Sequence, residues 1–244
     1  MFCPMQNKIV WGWVVFWINY WVVGSLLPIA DVKTVSKVEI TKFDLVTNLI
    51  LNMAVTFFLF VPLASSYSVV WQRQGYWFDY PVMFVIMFVL SEGVNYCIHR
   101  LLHHPSLYFM HKAHHSYIQA EPLGAVYVSW HEMLVENPLL VMIAYQWFNM
   151  SITEIVLLSL FYSNNSLGTH SGITRSIKPT NWLNKAIIAS FDDKFHAVHH
   201  YSGAHNFGQC GLLDVVFGTF KSPSEGMKEV FKATMTEESS MKML

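Results

Sequence analysis

The sequence predicts an all-α integral membrane protein, with about four transmembrane helices or hairpin arms and a cytosolic, histidine-rich, metal-binding cap. The composition supports a membrane protein, because the 244 residues are 53% hydrophobic and only 13% charged. Uncharged runs long enough to cross a bilayer give the helices. Short clusters of histidine between and after these runs give the cap.

The membrane segments follow from the uncharged runs. The run at 9–30 is too long for the apolar core of a cleaved signal peptide and is predicted to be the first helix. The run at 45–72 exceeds one crossing, and Pro62 is expected to kink or end it. The remaining membrane segments are predicted at 81–98 and 137–174.

Glu154 divides the last of these segments. We interpret the segment as a helical hairpin with Glu154 at its solvated tip, or as one crossing plus a re-entrant piece. The hairpin returns the later histidines to the side of the earlier ones. Residues 1–244 are expected to form one membrane domain, in which 99–136 and 175–221 build the cap and 222–244 form a flexible tail.

The orientation follows from the basic residues of the short loops. The loop between the first two segments carries Lys33, Lys37 and Lys42, whereas the next loop carries only Arg73. Cytoplasmic loops are enriched in lysine and arginine. The first loop, and with it every histidine cluster, is therefore predicted to face the cytosol.

Charge and cysteine content exclude other classes of protein. The net charge of −1 offers no basic field for nucleic acid. Cys3, Cys97 and Cys210 are isolated in the sequence, so neither a disulfide framework nor a zinc site built from thiolates is indicated.

The histidines are spaced so that each cluster lies on one face of a helix. The first cluster is an i, i+4 pair, and each of the others has i, i+3, i+4 spacing. Pro105 breaks the first helix, so the second cluster can turn towards the first. The clusters are His99 and His103; His111, His114 and His115; and His196, His199 and His200.

Metal binding is the chemistry that this pattern favours. A desolvated imidazole is costly unless something coordinates it, and imidazole suits iron, zinc, copper and nickel. Eight clustered imidazoles exceed the coordination sphere of one ion, which indicates two. Carboxylates would offset the metal charge, and the candidates are Glu92, Asp192, Asp193 and Asp214. Glu92 lies two helical turns before His99 on the same face and is expected to approach the imidazoles.

Isolated histidines carry a weaker signal. His104, His131, His170 and His205 are each as readily surface or packing residues as ligands. Glu132 follows His131 as in the H-E-x-x-H motif of metalloproteases, but Val135 stands where the second histidine is required, so that motif fails.

The ordered motifs resemble those of the fatty acid hydroxylase and sterol desaturase superfamily, which consists of integral membrane, non-haem di-iron oxygenases. The resemblance extends from Glu92 to Pro223. Its departures are Glu92 in place of the usual Asp, Leu213 in place of Trp, and Glu132 where Pro commonly follows the histidine. The matching motifs are Glu92-x-x-x-Tyr96-x-x-His99-Arg100-Leu-Leu-His103-His104, His111-Lys-Ala-His114-His115, Thr169-His170-Ser171-Gly172, His196-x-x-His199-His200, His205-Asn206-Phe207-Gly208-Gln209 and Leu213-Asp214-x-x-Phe217-Gly218-Thr219-Phe220.

The resemblance implies two iron ions, O2, and electrons delivered from NAD(P)H through cytochrome b5 or a similar carrier. It implies hydroxylation or desaturation of a membrane lipid, favouring a sterol over a fatty acyl chain or sphingolipid, in the endoplasmic reticulum if the source is eukaryotic. It implies catalytic roles for Glu92 and Asp214, and additional or supporting roles for His104, His131, His205 and Asn206. The implied metal ligands are His99, His103, His111, His114, His115, His170, His196, His199 and His200.

The rival interpretation is a histidine-rich metal transporter or a bis-histidine haem protein. A transport path places polar residues inside several helices, whereas these clusters lie at predicted helix ends. A haem carrier needs two axial histidines and leaves most of the others without a role.

Overall fold

The computed structural model describes residues 4–27, 40–62, 79–116, 122–136, 150–171 and 193–229, and these residues form helices and turns. The all-α prediction is confirmed for this part of the chain. The α-helices are α1 (Pro4–Leu26), α2 (Lys42–Val55), α3 (Asp79–Leu102), α4 (Tyr108–His111), α5 (Trp130–Val135), α6 (Ile152–Thr169), α7 (Asp193–Ser202) and α8 (Leu212–Val216), with 3-10 turns at His114–Ser116 and Pro122–Val126.

Three of the described helices are long and apolar enough to cross a membrane. The candidate spans are Lys8–Leu26, Lys42–Leu59 and Val85–Leu102, which overlap the first three predicted segments. Helix α6 lies in the fourth predicted segment but is not among these spans, and residues 137–149 lie outside the described residues. A fourth crossing remains a prediction.

Two core clusters show how the long helices are directed. One cluster joins Ile9, Met87 and Ile155, from the beginnings of α1, α3 and α6, to Val61 beyond the end of α2. The other joins the later part of α1 and the end of α6 to the beginning of α2. Helices α1, α3 and α6 are therefore parallel to one another, and α2 is antiparallel to them. The C-termini of α3 and α6 lie on the same side of the bundle.

Capping boxes begin two of these helices. At α2, Thr41 accepts from the backbone N–H of Asp44, and the Asp44 carboxylate accepts from that of Thr41. At α6, Ser151 and Glu154 make the same exchange. Glu154 is buried in a first helical turn, so its prediction as a solvated hairpin tip is wrong. A serine three residues before a glutamate is a helix-start signal, which the apolar pattern alone does not reveal.

Helix α2 continues through a π-helical turn, Thr56–Phe60, into Pro62. Proline has no backbone N–H and its ring clashes with the carbonyl four residues earlier. The wider turn, in which the Val61 N–H bonds the Thr56 carbonyl, is a common way to accommodate such a disruption. The π-helical turn therefore precedes Pro62, and the kink or helix end expected at this residue remains a prediction because residues 63–78 lie outside the described residues.

Polar side chains of α1 and α2 hold the irregular segment 122–129. The Tyr20 hydroxyl donates to the Leu123 carbonyl and accepts from the Val126 N–H, at 3.0 Å each. The Asn48 and Asn52 amides donate to carbonyls of the same segment. Buried backbone polar groups need partners, and these three side chains supply them. They thereby fix where α5 begins.

The predicted flexible tail is ordered in its first residues. Residues 223–229 are helical, and Met227 packs against Ala197 and Val198 of α7. Gly226 lies so close to the Val198 side chain that a Cβ would come within 2.4 Å of it. Residues 222–229 therefore pack against α7 and are not a flexible tail as predicted. Residues 230–244 lie outside the described residues.

Candidate metal centre

The described structure brings all nine predicted histidine ligands together in two groups. Within each group, one ring nitrogen of every histidine lies within 4.8 Å of those of the others. Seven of these nine side chains are buried, and those of His103 and His196 are half-buried. The first group is His99, His103, His111, His115 and His199, and the second group is His114, His170, His196 and His200.

The second cluster does not form one helical face as predicted. Helix α4 ends at His111, a turn follows, and His114 lies in the 3-10 turn. This turn directs His115 to the first group and His114 to the second. The third cluster is also divided, since His199 joins the first group while its two partners on α7 join the second.

Hydrogen bonds at Nδ1 determine where the lone pairs of the first group point. The His99 Nδ1 lies 2.9 Å from the Phe207 carbonyl, and the His199 Nδ1 lies 2.7 Å from the His205 carbonyl. A carbonyl oxygen only accepts, so each Nδ1 carries the hydrogen. A neutral imidazole then holds its lone pair on Nε2. The Nε2 atoms therefore face the interior of the group as acceptors.

These Nε2 atoms lie too close together to be explained without a shared cation. His99 and His111 have Nε2 atoms 3.0 Å apart, and those of His115 and His199 are also 3.0 Å apart. Two facing lone pairs repel. Nitrogens bound at about 2.1 Å on neighbouring positions of one metal ion are separated by about this distance. The first group therefore fits a metal ion.

Burial keeps these rings in the form that metal binding requires. Desolvation, followed by repulsion from neighbouring imidazoles, holds the pKa of His111 and of His199 well below 6.5. A neutral imidazole is the ligand form. The rings are thus ready to bind metal at neutral pH.

The second group has the same character and two buried nitrogens without partners. The His196 Nε2 lies 2.8 Å from that of His200 and 3.3 Å from that of His114. The His170 Nδ1 donates to the Ser166 carbonyl at the end of α6, which leaves its Nε2 as a buried acceptor. Neither this atom nor the His114 Nδ1 has a hydrogen-bond partner among the described residues. A second metal ion would satisfy the lone pairs of this group.

Glu132 is a site residue that the sequence interpretation missed. Its side chain is 0% exposed, and its Oε1 accepts a hydrogen bond of 2.7 Å from the Nδ1 of His111. This contact fixes the His111 tautomer and makes its Nε2 a stronger donor to metal. Ser129, which caps the N–H of Glu132, was the available signal, because it marks a helix start that points Glu132 inward.

A second carboxyl group lies beside Glu132. Burial, and then repulsion from Glu136, raises the pKa of Glu132 well above its usual range. Burial also raises the pKa of Glu136, to about 7. Glu136 accepts a long contact of 3.5 Å from the Asn95 amide, and its carboxyl group lies close enough to that of Glu132 to share a hydrogen bond with it.

The loop after α7 supplies the carbonyls that orient His99 and His199. Asn206 lies between the two carbonyl-bearing residues and has a left-handed φ of 60°, which asparagine tolerates. Its amide donates to the Phe195 and Lys221 carbonyls. Asn206 thus supports the centre by shaping this loop.

Two buried carboxylates hold the same loop. Asp214 accepts from the N–H groups of Phe207 and Gly208, and Glu92 accepts from those of Gln209 and Cys210. At Gly208 a Cβ would come within 2.4 Å of Glu92 and 2.9 Å of Asp214, so only glycine fits between them.

Glu92 was predicted to approach the imidazoles directly, but the structure connects it to them through the loop. Its carboxylate lies on backbone amides of the loop, and the loop then contacts His99 through the Phe207 carbonyl. The loop that contacts Glu92 is more than 100 residues away in the sequence. The helical spacing of Glu92 and His99 could therefore not reveal this contact. The catalytic roles predicted for Glu92 and Asp214 remain predictions.

Replacing Glu92 by glutamine is expected to destabilise the protein and lower its metal content. Glu92 accepts three backbone N–H groups, and glutamine must turn its own NH2 towards at least one of them. One unsatisfied buried donor costs about 1–3 kcal/mol. Thermal unfolding and metal analysis check this, and an unchanged melting temperature with unchanged metal content would contradict it.

The other predicted residues lie at the edge of the site. His104 is exposed, and its Nδ1 accepts from the Ser106 N–H. His131 stacks on Trp130, with ring centroids 3.6 Å apart. His205 contributes its backbone carbonyl, while its ring contacts the Ser202 hydroxyl. None of the three is in either histidine group. Asp192 and the side chain of Asp193 lie outside the described residues.

Acid is expected to destabilise the metal-free protein. Burial lowers the pKa of His114, His196 and His200 well below 6.5 in the folded state. An unfolded chain would bind protons as the pH falls below about 6.5, whereas the folded chain would not. The free energy of unfolding is therefore highest above that pH and decreases below it. Thermal unfolding of chelator-treated protein across this range checks the sign, and a melting temperature independent of pH would contradict it.

The fold and site together define a helical membrane protein with a histidine-built metal centre at one end of its bundle. The family model described as fatty acid hydroxylase matches residues 84–219, and the chain belongs to this family. The match includes all three histidine clusters and the loop that Glu92 and Asp214 hold.

Three curated relatives share parts of the sequence. Fatty acid hydroxylase ahd1 of Mycosarcoma maydis is 30% identical over 55% of this chain and 32% of its own length. The probable Delta(7)-sterol 5(6)-desaturase of Neurospora crassa is 27% identical over 92% of this chain and 67% of its own length. Methylsterol monooxygenase 1 of Rattus norvegicus is 26% identical over 66% of this chain and 55% of its own length.

The chain thus spans only about a third of the first relative and just over half of the third. No solved structure matches the chain.

Proposed function

We propose that this chain is a membrane-bound lipid oxygenase that hydroxylates or desaturates a lipid with O2, two iron ions and external electrons. The observation that carries the proposal is the pair of histidine groups, five and four rings, with buried lone pairs directed inward. The names of the curated relatives support a lipid substrate.

Bound iron would supply the O2 chemistry that removes hydrogen from an unactivated C–H bond. Hydroxylation consumes the C–H bond, O2, two electrons and two protons, and forms an alcohol and water. The electrons would come from NAD(P)H through cytochrome b5 or a similar carrier. The protein's own part is to hold the imidazoles neutral, to fix their tautomers through Glu132 and the loop carbonyls, and to admit the lipid.

A sterol is the favoured substrate, with a fatty acyl or sphingoid chain as the alternative. The desaturase relative, which is aligned over 92% of this chain, favours the sterol. A cell deficient in sterol desaturation should therefore gain an oxidised sterol when it expresses this chain. Expression of the His111→Ala variant provides the control, and whole-lipid mass spectrometry would reveal an acyl or sphingoid product instead.

The rival transporter and haem interpretations make different predictions for purified protein. The histidines lie in the last turn of α3 or on segments beyond the ends of α3 and α6, instead of lining a path along these helices. Protein purified anaerobically with iron should contain about two non-haem ions per chain and no Soret band. A Soret band, or metal-dependent transport with no lipid product in the complemented cell, would overturn the oxygenase proposal.

The metal centre is expected to face the cytosol, in the endoplasmic reticulum if the source is eukaryotic. Helix α1 ends, and α2 begins, at the end of the bundle that bears the histidines. The sequence between these two helices carries Lys33 and Lys37, and cytoplasmic loops are enriched in lysine and arginine. A tag inserted in the loop at residues 31–44 should be protected in the cytosol, and a tag near Gly75 should be accessible from the lumen. The reverse pattern would contradict this orientation.

A further inference from the structure

A cavity lies against both histidine groups. Its volume is about 120 Å³, and its wall includes His99 of the first group and His114, His170 and His196 of the second. Pockets that enclose a whole drug-sized ligand usually measure roughly 300–1,000 Å³. The cavity therefore has room for one end of a lipid, and so small a space extends over only a few carbon–carbon bonds.

The remaining wall combines apolar side chains with polar groups that a hydrocarbon chain does not require. Carboxamides of Asn95, Asn165 and Gln209, the Glu136 carboxyl and the Tyr162 phenol line it. Polar groups that face an apolar chain lose their water without gaining a partner, which is costly. A wall of this kind fits a ligand end that carries its own hydrogen-bonding group.

Two of these side chains have hydrogen-bonding capacity to spare. No hydrogen-bond partner of the Asn165 carboxamide is found among the described residues. The Glu136 carboxyl group adjoins that of Glu132 and accepts one long contact of 3.5 Å from Asn95, which leaves it room for a further donor. The carboxamide supplies a donor and the carboxyl group supplies an acceptor. A hydroxyl group both accepts and donates, so it matches the pair. An ether can only accept, so it leaves the Glu136 acceptor without a donor.

On the basis of the lipid oxidation proposed above, we propose that Asn165 and Glu136 bind a hydroxyl group of the substrate, so that the oxidised carbon lies a few bonds from it. The substrate class is then a lipid alcohol, such as a hydroxysterol or a long-chain hydroxylated lipid, oxidised near its polar end. A free fatty acid, or an acyl chain oxidised far from any hydroxyl, does not belong to this class.

The test is a binding assay on the full, metal-loaded chain in detergent, with no turnover required. The probes are a 3-hydroxysterol and its 3-methyl ether, and a long-chain fatty alcohol with its methyl ether and the matching fatty acid. At least one free alcohol should bind about tenfold or more tightly than its ether, because a site built for a hydroxyl leaves its polar groups unpaired with the ether. The sterol and chain arms identify the source of the hydroxyl.

The variants are Asn165→Leu and Glu136→Gln, with Asn164→Leu as the matched control. Asn164 is the neighbouring residue on α6 but is exposed and bonds the Leu160 carbonyl and the Asn19 amide. Asn165→Leu should remove most of the preference for the free alcohol, Glu136→Gln should reduce it, and Asn164→Leu should retain it. Metal content and melting temperature show that each variant is folded.

Equal binding of alcohols and ethers by the unaltered protein would overturn the inference, as would binding of neither alcohol. A preference that survives in both cavity variants would overturn it too. In each case a lipid product in the complemented cell would leave the proposed function intact. Conversely, a retained alcohol preference with no lipid product would count against the oxygenase and not against the hydroxyl site.

Discussion

Replacing His199 by alanine is expected to remove about one metal ion per chain and to abolish lipid oxidation. Its ring is 0% exposed, and its Nε2 lies 3.0 Å from that of His115 and 3.1 Å from that of His103. It is therefore central to the first group. The variant His196→Ala should remove the other ion, because its Nε2 contacts those of two neighbours in the second group.

Metal analysis of protein purified anaerobically with iron measures this directly. The unaltered chain should hold about two ions, each variant about one, and lipid oxidation should decrease by at least about a hundredfold in both. His104→Ala is the matched control, because His104 adjoins the first group in sequence but is exposed. Two ions retained by both variants would reject the assignment of the two groups.

Replacing Glu132 by alanine is expected to weaken metal binding by about 10- to 100-fold while most of the fold remains. The variant removes the acceptor of the His111 Nδ1–H, so the ring loses its fixed tautomer and orientation. Partners of metal-bound histidines typically contribute this much to metal affinity. Competition with a chelator of known affinity measures the change, and the first ion released should be the one bound by the first group.

Glu154→Ala is a closely matched control for Glu132→Ala. Both glutamates are buried, both lie in the first turn of a helix, and both follow a capping serine by three residues. Glu132 contacts His111, whereas Glu154 lies beside Ile155 at the beginning of α6, at the other end of the bundle. Glu154→Ala should lower stability by about 1 kcal/mol through its lost cap and leave metal affinity unchanged. Equal effects of the two variants on metal affinity would show that Glu132 acts only through folding.

The sequence identified most of the histidine ligands but not how they divide into two groups. The periodic spacing identified eight of the nine histidines, while only the resemblance identified His170 as a ligand. How the rings separate into five and four depends on the turn between His111 and His114, whose geometry is set by packing. Spacing predicted a continuous helix there, and tertiary contacts determined otherwise.

Roles that depend on long-range contacts were the least predictable. Glu92 was identified as a significant charge, yet its partners are backbone amides more than 100 residues away. Glu132 was set aside because a known motif failed, although its cap at Ser129 was visible in the sequence. The helix starts at Thr41 and Ser151 were also encoded locally, and attention to capping boxes would have placed both.

The alternation of the two groups along the chain affects how such a centre can change over time. His114 and His115 are joined by one peptide bond but serve different groups, and the same is true of His199 and His200. A deletion or a register shift at either pair would therefore remove ligands from both ions at once. A substitution of one histidine affects one group, whereas a change in the length of the second or third cluster affects both.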